Sequence, residues 1–552
     1  MLNDANLRRF QQLLVKYELG EEYYLTIDDL EHSLSTSRRN TSIVLKCLSE
    51  FQWICWIPSK GRGRLSQFKI LLSFSEALEQ VLALQLEQGR FNVIPRLLES
   101  YGDTAIKALT LATEKHNLFN QQHDHLLITQ YPWVDNLEPA KTYRIAEHQI
   151  LRSIYNTLLV QDLNGEPQAS LAHHWKMEGR FLHFWLRPNV VFHDGETLSA
   201  KDVVQCLLRL KNIDGPVQSL FEQVNDVHVV GEKKLTIELA RANPMFIYAL
   251  CSAHASIYRC KRSYFASGRS AYMGTGPFSL DDWSEESLVL KRHRGYFAQN
   301  ALLEQITLTD IEGLNDHTLS FNRSGVAEET TINALSYLAV NRREGSGITP
   351  DDLDRLVLFI KSSSKEFDAD MMTDDLSFSP SELTSSILTP ALTGTVVLTR
   401  PKMTIPLLQD MADWLQQTIA KTGVTIEVVE LPNISDPSSM SESADLLFIE
   451  EIIEQPKDYG LYDWLLAASG LRFIFNSPEM KEHCEIVRSA VSGDNPIDRL
   501  KQIEHSLYQQ KLLCPLFHGK EKVSNSVEVH GVEINKTGYS DFYKLWISSS
   551  EK

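Results

Sequence analysis

Ser35-Thr-Ser-Arg-Arg-Asn-Thr-Ser-Ile-Val-Leu-Lys-Cys-Leu-Ser-Glu-Phe-Gln-Trp-Ile-Cys-Trp-Ile-Pro-Ser-Lys-Gly-Arg-Gly-Arg64 decides how the front of this 552-residue chain folds. At roughly 100° per residue, Val44, Cys47, Leu48 and Phe51 gather on one side of a helix, while Arg38, Arg39, Ser42 and Lys46 gather on the other. One side packs and the other is basic. Trp53 to Ile57 and Leu65 to Leu72 then read as two strands around a Gly-rich basic tip, Pro58 to Arg64. Upstream, Leu7, Phe10, Leu14 and Tyr17 form one helical stripe that ends before Gly20. Thr26 with Asp29 caps a short second helix carrying Ile27, Leu30 and Leu34. Three helices followed by a hairpin make a winged helix-turn-helix, an α+β unit over residues 1–72.

Charge separates this head from the rest. The chain has 54 Lys and Arg against 72 Asp and Glu, a net charge of −18. As a whole it repels nucleic acid and anionic membrane, so any DNA contact must be local. Between Ser35 and Lys69 there are seven basic residues and one acid, Glu50. A recognition helix needs long cationic or polar side chains on one face, and a wing needs cations and a backbone that approaches closely. Arg38, Arg39, Ser42 and Lys46 meet the first need, and Lys60, Arg62 and Arg64 the second. These seven are the candidate contacts to double-stranded DNA.

Residues 73–125 have helical patterning and no linker composition, and read as a helical connector. From Leu126 onward strand-like runs such as Leu288-Val-Leu290 and Leu446-Leu-Phe-Ile449 alternate with amphipathic helices, an α/β style. No stretch approaches a membrane span. The N-terminus has no apolar signal segment, and the seven cysteines are scattered and never in Cys-x-x-Cys, which fits reduced thiols and a cytoplasmic location. His173, His174, His183 and His193 lack the spacing of a metal site, Gly274-Thr-Gly-Pro-Phe278 lacks the ending of a phosphate loop, and no nucleophile elbow exists. Neither catalysis nor a metal nor a cofactor is expected.

Leu171-Ala-His-His-Trp175, Leu186-Arg-Pro-Asn-Val-Val-Phe-His-Asp-Gly195 and Leu198-Ser-Ala-Lys-Asp-Val-Val204, with Gly274 to Phe278, Arg294-Gly-Tyr296 and Tyr337-Leu-Ala-Val-Asn341, carry a further signal. This order resembles the large periplasmic solute-binding proteins of the dipeptide, oligopeptide and nickel class, solute-binding protein family 5. Joined to a winged head, it resembles the SgrR family of bacterial transcriptional regulators over nearly the whole chain. The resemblance implies a cytoplasmic factor that activates a small-RNA gene under sugar-phosphate stress, represses its own gene and senses a small molecule, with RNA polymerase as a further partner. It also implies a two-lobed periplasmic-binding-protein-like body over 126–552, with lobe one at about 126–335 plus 513–552 and lobe two at about 336–512. A sugar or sugar phosphate would lie between the lobes, with Tyr131, Trp133, Tyr155 and Glu450 as candidate contacts. Where peptide binders often carry a Trp and an Asp-x-Pro-Asp-Pro segment, this chain has Glu450-Glu-Ile-Ile-Glu-Gln-Pro456, which argues against a peptide. The rival expectation is an exported oligopeptide- or nickel-type binding protein of a transporter.

Overall fold

The computed structural model describes residues 4–548 apart from 60–63, 89, 91–92, 121–123, 130, 133, 163, 310–318, 322–327, 377–387, 404, 525–528, 534–537 and 539. The head begins with α1 (Asp4–Leu14), β1 (Glu22–Leu25), α2 (Ile27–Leu34) and α3 (Arg38–Glu50), followed by β2 (Ile54–Ile57) and β3 (Ser66–Ile70). Thr26 and Asp29 cap α2 reciprocally, as their spacing requires. β2 and β3 pair as the expected hairpin, and β1 adds a third, antiparallel strand on the other side of β3. β1 is an addition to the expected elements, because Glu-Tyr-Tyr-Leu is too short to register as a periodic run.

The connector is two helices, α4 (Phe74–Glu87) and α5 (Ile94–Asn120), and it is part of the head's core. Ala105, Ala108 and Ala112 let α5 lie close against Ala77, Leu78, Val81 and Leu82 of α4. Trp53 is fully buried against Phe10, and its indole N–H donates to Gln80 Oε1 at 2.8 Å, tying the hairpin to α4. Tyr101 on α5 donates to Asp4 on α1 at 2.9 Å. Gly102 interrupts α5 with a φ of 50° and a ψ of −135°, a conformation that a residue with a β-carbon resists. The head is therefore a structural unit longer than 1–72.

The body is organised around one ten-stranded mixed sheet. Its order runs Phe278–Trp283, Ser287–Arg292, Gln305–Thr309, β4 (His125–Thr129), Leu319–Phe321, Leu513–Ser524, Glu328–Val340, Leu446–Ile452, Thr395–Arg400 and Thr425–Glu430. A separate four-stranded antiparallel sheet, Ala172–Glu178, Phe181–Leu186, Lys234–Leu239 and Val224–Gly231, carries the first half of the quoted motif. His193-Asp-Gly195 is a turn: Gly195 N–H donates to Phe192 O at 2.8 Å, with φ +84° at the glycine. His193 and His293 both donate to Gly276 O. Burial, then the neighbouring His293, pushes His193 down to about 3, so it is a neutral part of the fold. Gly274 and Gly276 lead into the strand Phe278–Trp283, and a β-carbon on either would sit within 2.5 Å of the backbone of residues 153–154. That close approach requires glycine.

Residues 336–512 do not form one apolar unit. The helices Pro350–Ser363 and Pro406–Ala420 share a core with strands of the large sheet. The helices Lys457–Ala467, Ser469–Ile474, Ser477–Val491 and Pro496–Gln509 instead join the core of residues 126–308. Tyr462 reaches back to Gln223 and Asn243, and Arg488 to Ser219 O and Glu222. None of the seven cysteines is in a disulfide. Among the described residues no helix is long and apolar enough to cross a membrane.

Candidate DNA-binding face and ligand pocket

The buried side of α3 is Thr41, Leu45 and Leu48, seated on the head core. Arg38, Arg39, Ser42 and Lys46 are all exposed. Arg38 pairs with Asp28 at 2.7 Å and Lys46 with Glu50 at 3.8 Å, both in water. Arg39 has no ion pair among the described residues. Ser42 donates back to Arg38 O at 3.1 Å, and that bond would have to be given up for a base or phosphate contact. Arg64 is exposed at the foot of the wing, while Lys60 and Arg62 lie outside the described residues. Ile43, 58% exposed, stands on the same outward stripe. Sequence reading passes over it, because apolar periodicity assigns an isoleucine to the core.

The body holds a cavity of about 180 Å³. One wall is the segment after β4 together with α6 (Ile145–Ile154), including Tyr131, Tyr143 and His148. The facing wall is Pro401, Lys402, Met403, Ile405 and Leu408, the end of the strand Leu446–Ile452, and the helix Lys457–Ala467. Tyr131 and Glu450 line this cavity. Tyr131 is nearly buried, with its hydroxyl 2.8 Å from Ala146 O and 3.0 Å from Gln149 Oε1, so its ring and not its hydroxyl is available. Tyr155 stands away from the cavity, buried against Tyr258, with its hydroxyl donating to Tyr272 O at 3.2 Å. Trp133 lies outside the described residues.

The walls are mostly apolar, and their charged groups are mainly acidic: Glu450, Glu451, Glu454 and Asp463 against Arg144 and Lys402. Alternation along Leu446–Ile452 turns Glu450 and Glu451 to opposite faces of the strand. Glu451 is a structural hub: it takes hydrogen bonds from the Tyr143 and Tyr337 hydroxyls, from Trp464 Nε1 (3.1 Å) and from Ser469 N (2.8 Å), and Arg472 lends it a positive charge. Burial still raises it to about 6. Among the described residues Glu450 accepts only from Ser336, at 3.0 Å, and burial pushes it up to about 7. Asp463 accepts from Tyr459 at 3.1 Å and is raised to about 7 by burial and by the charges of Glu454 and Glu451. Glu454 is raised by burial and lowered by Arg152, and among the described residues its carboxylate accepts no hydrogen bond. Burial holds His148 and His254 below the usual histidine range, His254 at about 4, so they add no charge near neutral pH. Arg144 is committed to Asp135, and Lys402 is exposed at the rim. Glu454 and Asp463 are absent from the candidates that the sequence offers. The segment holding Glu454 departs from the peptide binders, but its charge has meaning only once the cavity is known.

Residues 6–122 match the domain described as "Sugar transport-related sRNA regulator N-term", and residues 166–354 match "Bacterial extracellular solute-binding proteins, family 5 Middle". The chain is 23% identical over 570 residues to the "Uncharacterized protein YhjP" of Bacillus subtilis (strain 168), covering 96% of this chain and 97% of that one. It is 23% identical to the "HTH-type transcriptional regulator SgrR" of Photorhabdus laumondii (98% and 99% covered) and 24% identical to that of Escherichia coli O157:H7 (96% of each). Among solved structures, 77% of the chain superposes on nearly all of the Escherichia coli murein tripeptide binding protein MppA, with a TM-score of 0.60 at 16% identity. The same share superposes on NikA from Staphylococcus aureus in complex with Ni(L-His)2 (0.61, 16%) and on OppA of Burkholderia pseudomallei (0.62, 14%). These structures share the fold of the body. With a winged helix-turn-helix head on a family 5 solute-binding body, the chain is similar from end to end to SgrR transcriptional regulators.

Proposed function

We propose that the chain is a cytoplasmic DNA-binding transcriptional regulator that reads a small polar molecule in the cleft pocket and passes the result to its winged head. One observation carries the link between the two sites. Leu127 of β4 is buried in the apolar core of the head, and Tyr131, two residues beyond the end of the same strand, forms part of the pocket wall. A movement of that wall on ligand binding would reach α5 without crossing a flexible linker. Arg39, Ser42 and Lys46 would contact bases and phosphates, Arg64 and the wing residues Lys60 and Arg62 would contact phosphates, and Ile43 suits a thymine methyl group.

Coupling requires that the ligand favour one of two states of the molecule, and about 1–3 kcal/mol of coupling is ordinary. Activation of a promoter would further bring RNA polymerase against the body or the head. A sugar as ligand is supported by the sugar-transport character of the family that the N-terminal domain matches and by aromatic rings in the wall. A sugar phosphate is less well served, since the wall offers few uncommitted cations. The test is operator binding by the full chain, with and without candidate ligands, for the wild type and for Leu127→Ala. Ligand-dependent affinity that Leu127→Ala abolishes, with basal affinity retained, is the expected result. Identical affinity at saturating ligand would overturn the coupling. The other reading, a binding protein serving a transporter, draws on the body alone; recovery of the protein outside the cytoplasm would favour it.

A further inference from the structure

Resting on the reading that the cleft pocket is the ligand site, we propose that its ligand is a small organic cation, a primary ammonium compound, held by Glu450, Glu454 and Asp463. The cavity lies between the segment after β4 with α6 on one side and residues of the strand Leu446–Ile452 and the helix Lys457–Ala467 on the other, so the site does not depend on the carboxylates for its existence. What the carboxylates decide is the charge of the occupant. Glu454 faces the cavity with no hydrogen bond to its carboxylate among the described residues. Asp463 feels the like charge of Glu454, and Tyr459 is its hydrogen-bond partner. Two half-buried carboxylates that repel each other in a cavity wall are costly unless a cation comes between them.

The protein's own cations offset only part of this. Arg152 acts on Glu454, Arg472 is engaged with Glu451, Ser435 and Ser469, Arg144 is paired with Asp135, and Lys402 stands at the exposed rim. His148 and His254 face the same space and are held neutral. Above about pH 7, where Glu450 and Asp463 have released their protons, the three carboxylates keep an excess of negative charge with acceptor oxygens to spare. Among the described residues no three His, Cys, Asp or Glu side chains converge closely enough to hold a metal ion. An ammonium group does not need a full set of converging ligands: one or two carboxylates at hydrogen-bond distance hold it, and its remaining N–H bonds can go to water in the cavity. A phosphate would meet repulsion here.

The experiment is calorimetric titration of the full chain with matched probes: butylamine against butanol, and glucosamine against glucose and glucose 6-phosphate. Binding of the amines, with the uncharged partners at least about tenfold weaker, is expected. Glu454→Gln and Asp463→Asn should each weaken amine binding by about tenfold. Butylamine stays protonated well above neutral pH, with a pKa near that of lysine, about 10.4. Its affinity for the wild-type chain should therefore fall as the pH is lowered from 8 to 6 and the wall carboxyls take up protons, a readout that needs no variant. Tighter binding of glucose 6-phosphate than of glucosamine would overturn the ammonium assignment and leave the pocket as the ligand site. Failure of every amine at millimolar concentration would also overturn the assignment. If in addition pocket variants left the operator response to cell metabolites unchanged, the regulatory reading would fall with it.

Discussion

On α3, Arg39, Ser42 and Lys46 stand in water, held by at most one exposed ion pair or one turn of their own helix. In the cavity wall Glu451 is buried and Glu450 and Asp463 are half-buried, and loss of water lifts each of them well above the usual carboxylate range. Exposed charge of the first kind contributes little to stability and is available to a partner. Buried charge of the second kind costs stability unless something compensates it, so its presence needs either a structural partner or a ligand. Glu451 has the structural partners. Glu450 and Glu454 largely lack them, and this separates the hub from the candidate contacts within five residues of sequence.

The largest effects should come from breaking the supports of the two regions. Trp53→Ala should destabilise the head by about 3–5 kcal/mol, because it removes a fully buried ring and the bond to Gln80 together. Denaturant unfolding of the full chain, followed by fluorescence and by loss of operator binding, would check this. An effect below about 1 kcal/mol would mean that the hairpin does not depend on α4.

A second prediction sharpens the contrast in burial. A carboxyl raised from 4.5 to about 7 keeps its proton in the folded state over a range where the unfolded chain has released it. Its contribution to stability is present at low pH and is lost as pH rises from about 4.5 to 7. The buried histidines act in the opposite direction, so the clean quantity is the difference between Glu450→Gln and the wild type, in which they cancel. That variant should gain on the wild type by up to about 3 kcal/mol between pH 5 and pH 7.5, since a tenfold change in proton affinity is worth about 1.36 kcal/mol. Equal pH profiles would show that Glu450 is solvated.

On the head, Arg39→Ala should leave thermal stability within about 0.5 kcal/mol. It should nonetheless cost about 1–3 kcal/mol of operator affinity and change the order of preferred sites. A uniform loss on all DNA sequences would make Arg39 a phosphate contact. The smallest effect is at the wing, where Arg64→Ala should lower the slope of log affinity against log salt by about 0.9, the value for one phosphate. An unchanged slope would remove Arg64 from the interface.

The sequence by itself determined the local elements of the head, because caps, helical stripes and turn residues act within a few positions of one another. Thr26 with Asp29, the two-faced α3 and the hairpin around Pro58 to Arg64 all follow from spacing. The body motif pointed to the solute-binding fold through its resemblance to that family, and the structure puts its Gly195, Gly274 and Gly276 where the backbone turns or packs too closely for a side chain. Only the tertiary structure decided that the helices of the connector, from Phe74 to Ala112, belong to the head's core and that the helices after residue 456 pack with residues 126–308. It alone separated Tyr131 from Tyr155, one in the cavity wall and the other in the core. These outcomes depend on contacts between residues up to hundreds of positions apart, such as Gln223 with Tyr462, and no periodicity records them. The same holds for charge: Glu450, Glu451 and Glu454 are alike as letters, and what distinguishes them is how much water and how many donors the fold leaves around each.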